Sequence, residues 1–174
     1  IFHVVRTIIE LSPVPVVLDA DALNVLAGNT GLLRQLKAGG VITPHPGEMS
    51  RLTGLSVQHV QENRIKIACS FAKEYNIVTV LKGFRTVIAM PDGRVYINLT
   101  GNPGMATAGT GDVLTGIISG FIAQGVAVED AALLGVYLHG LAGDIAAGKI
   151  GFHGLLATDI IEEIPQGIME IAAD

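Results

Sequence analysis

The stretch Asn102-Pro103-Gly104-Met105-Ala106-Thr107-Ala108-Gly109-Thr110-Gly111-Asp112 sets three glycines and several small side chains directly before Val113-Leu-Thr-Gly-Ile-Ile, a segment with helical character. Glycine admits φ > 0 and close backbone approach, so successive N–H groups can point at one anion while the helix dipole favours its negative charge. This is the chemistry of a phosphate cradle. The stretch lacks the Lys-Ser/Thr ending of a P-loop and the GxGxxG spacing of a dinucleotide fold. Asp112 is its one ionisable group and has two readings. It either stabilises the helix start as a cap or first-turn carboxylate, by about 1 kcal/mol, or takes the proton of a substrate hydroxyl as that oxygen attacks a phosphoryl group. The stretch alone leaves both open.

Other chemistry-bearing residues follow short apolar runs. Pro15-Val-Val-Leu-Asp19, Gly40-Val-Ile-Thr43 and Ile77-Val-Thr-Val-Leu81 have the form of parallel strands buried on both faces. They lead into Asp19, into Pro44-His45-Pro46-Gly47-Glu48, and into Lys82-Gly83. Open α/β sheets bind ligands beyond the carboxyl ends of their strands, so Asp19, His45, Glu48 and Lys82 are expected to converge on one crevice. Each has a plainer reading: His45 as a loop residue between prolines, Glu48 as a first-turn carboxylate, Lys82 as a solvated lysine. Asp21 is a natural N-cap for the helix that follows it.

The elements that would position these residues read as α/β. A helix begins at Phe2, one of about four turns runs from His59 to Tyr75, and Asp92-Gly93 turns a hairpin of Thr86–Met90 and Arg94–Asn98. Three more helices are expected: Asp112 to Gln124, Glu129 to Ala147, and Leu155 to about Ala172, the last broken or kinked at Pro165. His139 and Asp144 lie on the second of these, where a structural or nucleotide-lining role is expected.

With 174 residues, 49% of them hydrophobic, the chain suits one domain with a sizeable core, and a net charge of -5 without a Lys/Arg run disfavours nucleic acid or an anionic membrane as partner. No apolar run approaches the ~20 residues of a membrane span. Cys69, the single cysteine, reads as a buried unpaired thiol, and a reducing cytoplasm is the expected location. The first residue, Ile1, opens inside a helical pattern without a cap, as expected of a piece lacking upstream strands.

Taken together, DADALN (Asp19–Asn24), TPHPGE (Thr43–Glu48), LKG (Leu81–Gly83), NPGMATAGTGDVLTG (Asn102–Gly116) and HGLAGD (His139–Asp144) resemble the ADP-dependent NAD(P)H-hydrate dehydratase family of the ribokinase-like superfamily. The resemblance implies a three-layer α/β fold with a mostly parallel sheet and an enzyme that restores hydrated NADH or NADPH (NADHX, NADPHX). It would do so at the expense of ADP or ATP, by phosphorylating the C6 hydroxyl and eliminating phosphate.

By the same resemblance, Asp112 is the catalytic carboxylate, and Asn102 through Gly111 hold the nucleotide. Lys82, Gly83, Phe84, Arg85 and Thr86 form a second nucleotide segment. His45, standing where related vitamin kinases carry Asn, contacts the hydrate. Glu48, with Asp19, helps place Mg2+ through water, and the protein is a homo-oligomer, often a tetramer. The family's glycine-bearing substrate motif nearer the amino terminus is not visible in this chain. The rivals are a hydroxymethylpyrimidine- or hydroxyethylthiazole-type kinase of the same superfamily and a non-catalytic nucleotide-binding module.

Overall fold

Strand-forming residues cluster in short runs, and the computed structural model, which describes residues 1–173, arranges them in one five-stranded sheet. The strands are β1 (Val16–Leu18), β2 (Gly40–Ile42), β3 (Val78–Leu81), β4 (Val87–Ala89) and β5 (Val95–Ile97), in the order β1-β2-β3-β4-β5. β1, β2 and β3 are parallel; β4 and β5 extend them as an antiparallel hairpin. β2 and β3 are buried along their whole length, as expected. β1 is not: Val16 and Val17 are half-buried because this strand forms the sheet's edge.

Alternation along the strands sorts the side chains into two cores. Leu18, Ile42, Leu81, Val87 and Ala89 face a layer made by α1 (Phe2–Leu11), α2 (Asp21–Leu26), α3 (Pro46–Thr53), α4 (Val57–Glu62) and α5 (Arg64–Tyr75). Val41, Val78, Val80, Ile88 and Met90 face α6 (Thr110–Ala123) and α7 (Val128–Ile150). α8 (Ala157–Ala173) then packs on α6 and α7 through Ile160, Val113, Ala142 and Ala146. The result is the helix–sheet–helix arrangement expected from the sequence.

Five further details differ from the sequence reading. The helix from His59 to Tyr75 is two helices, interrupted at Asn63 (φ -126°, ψ 30°), whose side-chain amide donates to the His59 carbonyl and so competes with the helical ladder. Asp21 is the first helical residue of α2 rather than its cap; Ala20, at φ 49°, holds the cap position. α8 runs unbroken through Pro165, held by the burial of Ile160 and Gly167 on either side. Finally, α7 reaches Ile150 and is long and apolar enough to cross a membrane by length and composition, although 56% of that stretch is buried inside the fold, as in a core helix. Cys69 is partly rather than fully buried and is unpaired.

Candidate active site

The carboxyl ends of β1, β2 and β3 meet the start of α6, and a bonded cluster joins them. The Lys82 backbone N–H donates to the Pro44 carbonyl (2.8 Å), fixing the loop after β2 to the end of β3. The Lys82 Nζ donates to Asp19 Oδ1 at 2.7 Å and lies 4.0 Å from Glu48 Oε2. Thr115 on α6 donates its hydroxyl to Asp19 Oδ2 (3.0 Å). Asp19, Glu48 and Lys82 therefore converge as expected, but Lys82 is not a solvated lysine: its side chain is 19% exposed and is spent on a carboxylate.

His45 and Glu48 start α3 together. The His45 Nδ1 accepts from the backbone N–H groups of Gly47 (2.9 Å) and Glu48 (3.3 Å), while Glu48 Oε2 accepts from the His45 N–H (2.7 Å). This reciprocal cap satisfies donors that would otherwise be orphaned at the helix start. An Nδ1 that accepts fixes the neutral ring as its Nε2–H tautomer; Nε2 lies 3.5 Å from Glu48 Oε1, too far for a good hydrogen bond, and on a half-exposed side chain it can turn its N–H to a ligand. Glu48 is buried, so its first-turn role is realised in full.

Whether Asp19 and Glu48 suit Mg2+ follows from their oxygens. Both Asp19 oxygens are taken, by Lys82 and Thr115, and Glu48 Oε2 by the His45 amide. Mg2+ demands near-octahedral oxygen ligands. Among the described residues no cluster of three or more His, Cys, Asp or Glu side chains offers such a set. These residues do not fit a directly bound metal.

The glycine-rich stretch is built for exposed amides. Gly109, at φ 88°, takes the left-handed conformation that turns the chain into α6, and no side chain caps that helix. Val113 N–H donates to the Gly109 carbonyl, which leaves the amides of the first turn facing outward. Upstream, Asn102 Oδ1 accepts from Gly104 N–H (3.0 Å), and its Nδ2 donates to the Gly143 carbonyl and to Asp144 Oδ1 (2.9 Å each). Asp144 Oδ2 accepts from Gly101 N–H (2.8 Å). Asp144 thus anchors the start of the stretch to α7. Thr110, buried, turns its hydroxyl to the Met105 and Thr107 carbonyls (2.9 Å each) and pins the far end.

Asp112 sits in the first turn of α6, exposed, with no hydrogen bond or ion pair to any described residue. It stands at one end of a groove of about 550 Å³ between α6 and α8, walled by Ile117, Phe121, Leu138, Ile161, Ile164 and Ile168. Another depression, of about 450 Å³, lies at the opposite ends of β2 and β3 and includes Gly40 and Val78.

The loop Lys82–Thr86 is shaped by a residue the sequence did not mark. Arg64, at the start of α5, donates to the carbonyls of Leu81 (3.0 Å), Lys82 (3.3 Å) and Phe84 (2.5 Å). A Cβ on Gly83 (φ 138°) would lie 3.2 Å from its guanidinium. Burial holds the Arg64 pKa below its ordinary value, yet the group keeps its charge at any working pH. The loop also places Arg85 at φ 55° and leaves Phe84 81% exposed. Replacing Arg64 with Ala is expected to cost about 1.5–3 kcal/mol, as for a lost charged hydrogen-bond set. Hydrogen exchange at residues 82–86 should quicken; unchanged exchange there would show that the loop holds itself.

His139 lies beneath this region on α7, with Nε2 enclosed without a well-formed hydrogen bond. Burial pushes its pKa down to about 4, the Thr110 backbone opposes that shift, and the Lys82 charge adds to it. The folded protein therefore keeps His139 neutral while the unfolded chain protonates near 6.5. The stability this contributes is present above pH 6.5 and is lost progressively as pH falls toward 4. Urea denaturation of the parent and of His139→Leu across that window should give a steeper acid loss for the parent, by up to about 3 kcal/mol. Parallel curves would contradict the buried neutral state.

Comparison with known proteins places this geometry. The pattern of the NAD(P)H-hydrate dehydratase family matches residues 4–166. A bifunctional NAD(P)H-hydrate repair enzyme of Moorella thermoacetica is 53% identical over 161 residues, which is 92% of this chain and 30% of that protein. Among solved structures, the ADP/ATP-dependent NAD(P)H-hydrate dehydratase of Bacillus subtilis, co-crystallised with ATP/Mg2+, superposes with a TM-score of 0.81 at 37% identity, covering 90% of this chain and 55% of the other. A ribokinase-like superfamily protein of Enterococcus faecalis gives 0.81 at 29% identity, covering 97% and 58%. The chain thus spans about a third to little more than half of the proteins it matches. On the family match over residues 4–166, and on the ribokinase-like fold it shares with these structures, the chain belongs to the NAD(P)H-hydrate dehydratase family.

Proposed function

We propose that this chain carries the nucleotide cradle and the general base of an ADP- or ATP-dependent dehydratase that returns hydrated NADH and NADPH to NADH and NADPH. The carrying observation is Asp112: an exposed carboxylate without a protein partner, in the first turn of an uncapped helix and beside an apolar groove. A carboxylate there costs helix stability nothing and is free to accept a substrate proton. The open amides of the same turn suit the phosphates of the nucleotide. The groove, within the usual ~300–1,000 Å³ range of ligand sites, suits a flat ring. Lys82 through Thr86 and Asn102 through Gly111 are the nucleotide-facing segments in this reading, and His45 offers Nε2–H to the hydrate.

The reaction begins when Asp112 accepts the proton of the ring-carbon hydroxyl as its oxygen attacks the terminal phosphoryl group of ADP. The P–O bond to the leaving nucleotide breaks, giving AMP and a phosphate ester. Next the ring nitrogen lone pair expels phosphate as the C–O bond breaks, and loss of a ring proton restores the reduced nicotinamide. ADP and hydrate thus become AMP, phosphate and NADH. Phosphate leaves far more readily than hydroxide, which explains a kinase-like fold carrying out a dehydration. Both Asp19 oxygens and Glu48 Oε2 already accept protein donors, so no step is routed through a metal held directly by these residues.

The test is recovery of the reduced-nicotinamide absorbance when the whole protein bearing this chain meets hydrated NADH and ADP. ADP-dependent recovery with release of AMP and phosphate is expected. Absence of recovery, or accumulation of a phosphorylated product, would instead favour a small-molecule kinase.

A further inference from the structure

We propose that the Lys82 ammonium is the built-in cation of the site, seated on the Asp19–Glu48 carboxylate pair so that divalent metal is kept off these residues and enters only with a nucleotide's phosphates. This goes beyond the proposed reaction and does not depend on which substrate is dehydrated or phosphorylated.

Two acidic side chains brought together at strand ends, with side-chain exposures of 9% and 6%, would be costly to bury uncompensated. A cation must accompany them, and the fold supplies one. The ammonium has three donors. One goes to Asp19 Oδ1 at 2.7 Å, and Glu48 Oε2 lies 4.0 Å away. The remaining side of the ammonium is covered by α6, where a Cβ on Gly111 would stand only 3.2 Å from Nζ.

The backbone of Lys82 is fixed by its bond to Pro44, and the adjoining Leu81 and Lys82 carbonyls by Arg64, so the side chain is aimed at the pair from a rigid base. Thr115 occupies the other Asp19 oxygen. A metal ion could reach the Asp19 carboxylate only by displacing both donors, at the cost of leaving a buried ammonium unpaired, while Glu48 Oε1, 3.5 Å from His45 Nε2, offers a single oxygen and no chelating partner. The same pairing means that Lys82 faces phosphate as part of an ion cluster of net negative charge rather than as a free positive point.

Mn2+ uptake without nucleotide tests this, followed by the loss of the free-ion EPR signal. The parent protein is expected to bind no Mn2+ at these residues, Lys82→Met to gain a site, and the double variant Asp19→Asn/Lys82→Met to lose it again. Mn2+ uptake by the parent that Asp19→Asn abolishes would overturn the proposal. So would a Lys82→Met protein that keeps the parent circular dichroism and gains no site. A second measurement needs no variant: acetylation of Lys82, read by peptide mass spectrometry, should be slow and unchanged by MgCl2, and acceleration by Mg2+ alone would mean that metal displaces the lysine. None of these readouts involves turnover, so failure of the proposed reaction and failure of this inference are separable.

Discussion

Replacing Asp112 with Asn is expected to lower ADP-dependent turnover by about 10²–10⁴-fold, the usual contribution of a positioned general base, while lowering the melting temperature by no more than about 1 °C. The expectation of an intact fold rests on the surroundings of the side chain. Asp112 is exposed and bonds to no described residue, so an isosteric amide breaks nothing. Its helix-dipole interaction is worth a few tenths of a kcal/mol at an exposed first turn. ADP affinity should hold or rise slightly, since a carboxylate beside phosphates repels them. That combination separates the two readings the residue admits. Turnover decides between them: a carboxylate that only stabilises the helix start loses a little stability and no turnover, whereas a base loses turnover as well. Equal turnover in parent and variant, measured on the whole protein with hydrated NADH, would remove Asp112 from the chemistry and leave a nucleotide-binding module.

Much of the site could be read from residue order because strand ends are local features. Apolar runs ending in Asp19, Thr43 and Leu81 announce where β1, β2 and β3 stop, and parallel pairing brings those ends together. The glycine-rich stretch announces a helix start, and Gly109 duly turns into α6. What could not be read was the partner each polar group takes. Asp19 was expected to help place Mg2+, and residue order could not show that a lysine 63 positions away bonds its carboxylate. Arg64 lay in an ordinary helical pattern, and its task of gripping three carbonyls exists only once α5 packs against the end of β3. The partners of Thr115 and Asp144 were hidden for the same reason: their bonds reach 96 positions to Asp19 and 43 to Gly101. The break at Asn63 escaped because it is decided by a single side chain against an apolar rhythm that continues on both sides.

A large stability effect is expected from one methyl group on α7. Gly140 lies directly against Thr100: a Cβ there would overlap the Thr100 hydroxyl and stand 2.8 Å from its backbone carbonyl carbon. Thr100 cannot yield cheaply, because its hydroxyl donates to the Tyr137 carbonyl (3.0 Å) and its own carbonyl accepts from Asn98 (3.0 Å). Gly140→Ala should therefore destabilise by about 1–3 kcal/mol or more, the range for overpacking against backbone. In a chain of this size that is a loss of roughly 2–4 °C in melting temperature per kcal/mol. The displaced segment is Thr100-Gly101-Asn102, which Asp144 ties to the same helix, so ADP affinity should fall with stability. Gly148, two turns further along α7, is the internal control: nothing lies within 4 Å of a Cβ there. Gly148→Ala should stabilise by about 0.4–1 kcal/mol by restricting the unfolded chain. Helix propensity predicts the same sign for both substitutions. Opposite signs can come only from the close approach at Thr100, and stabilisation by both would mean that α7 does not press on the cradle at all.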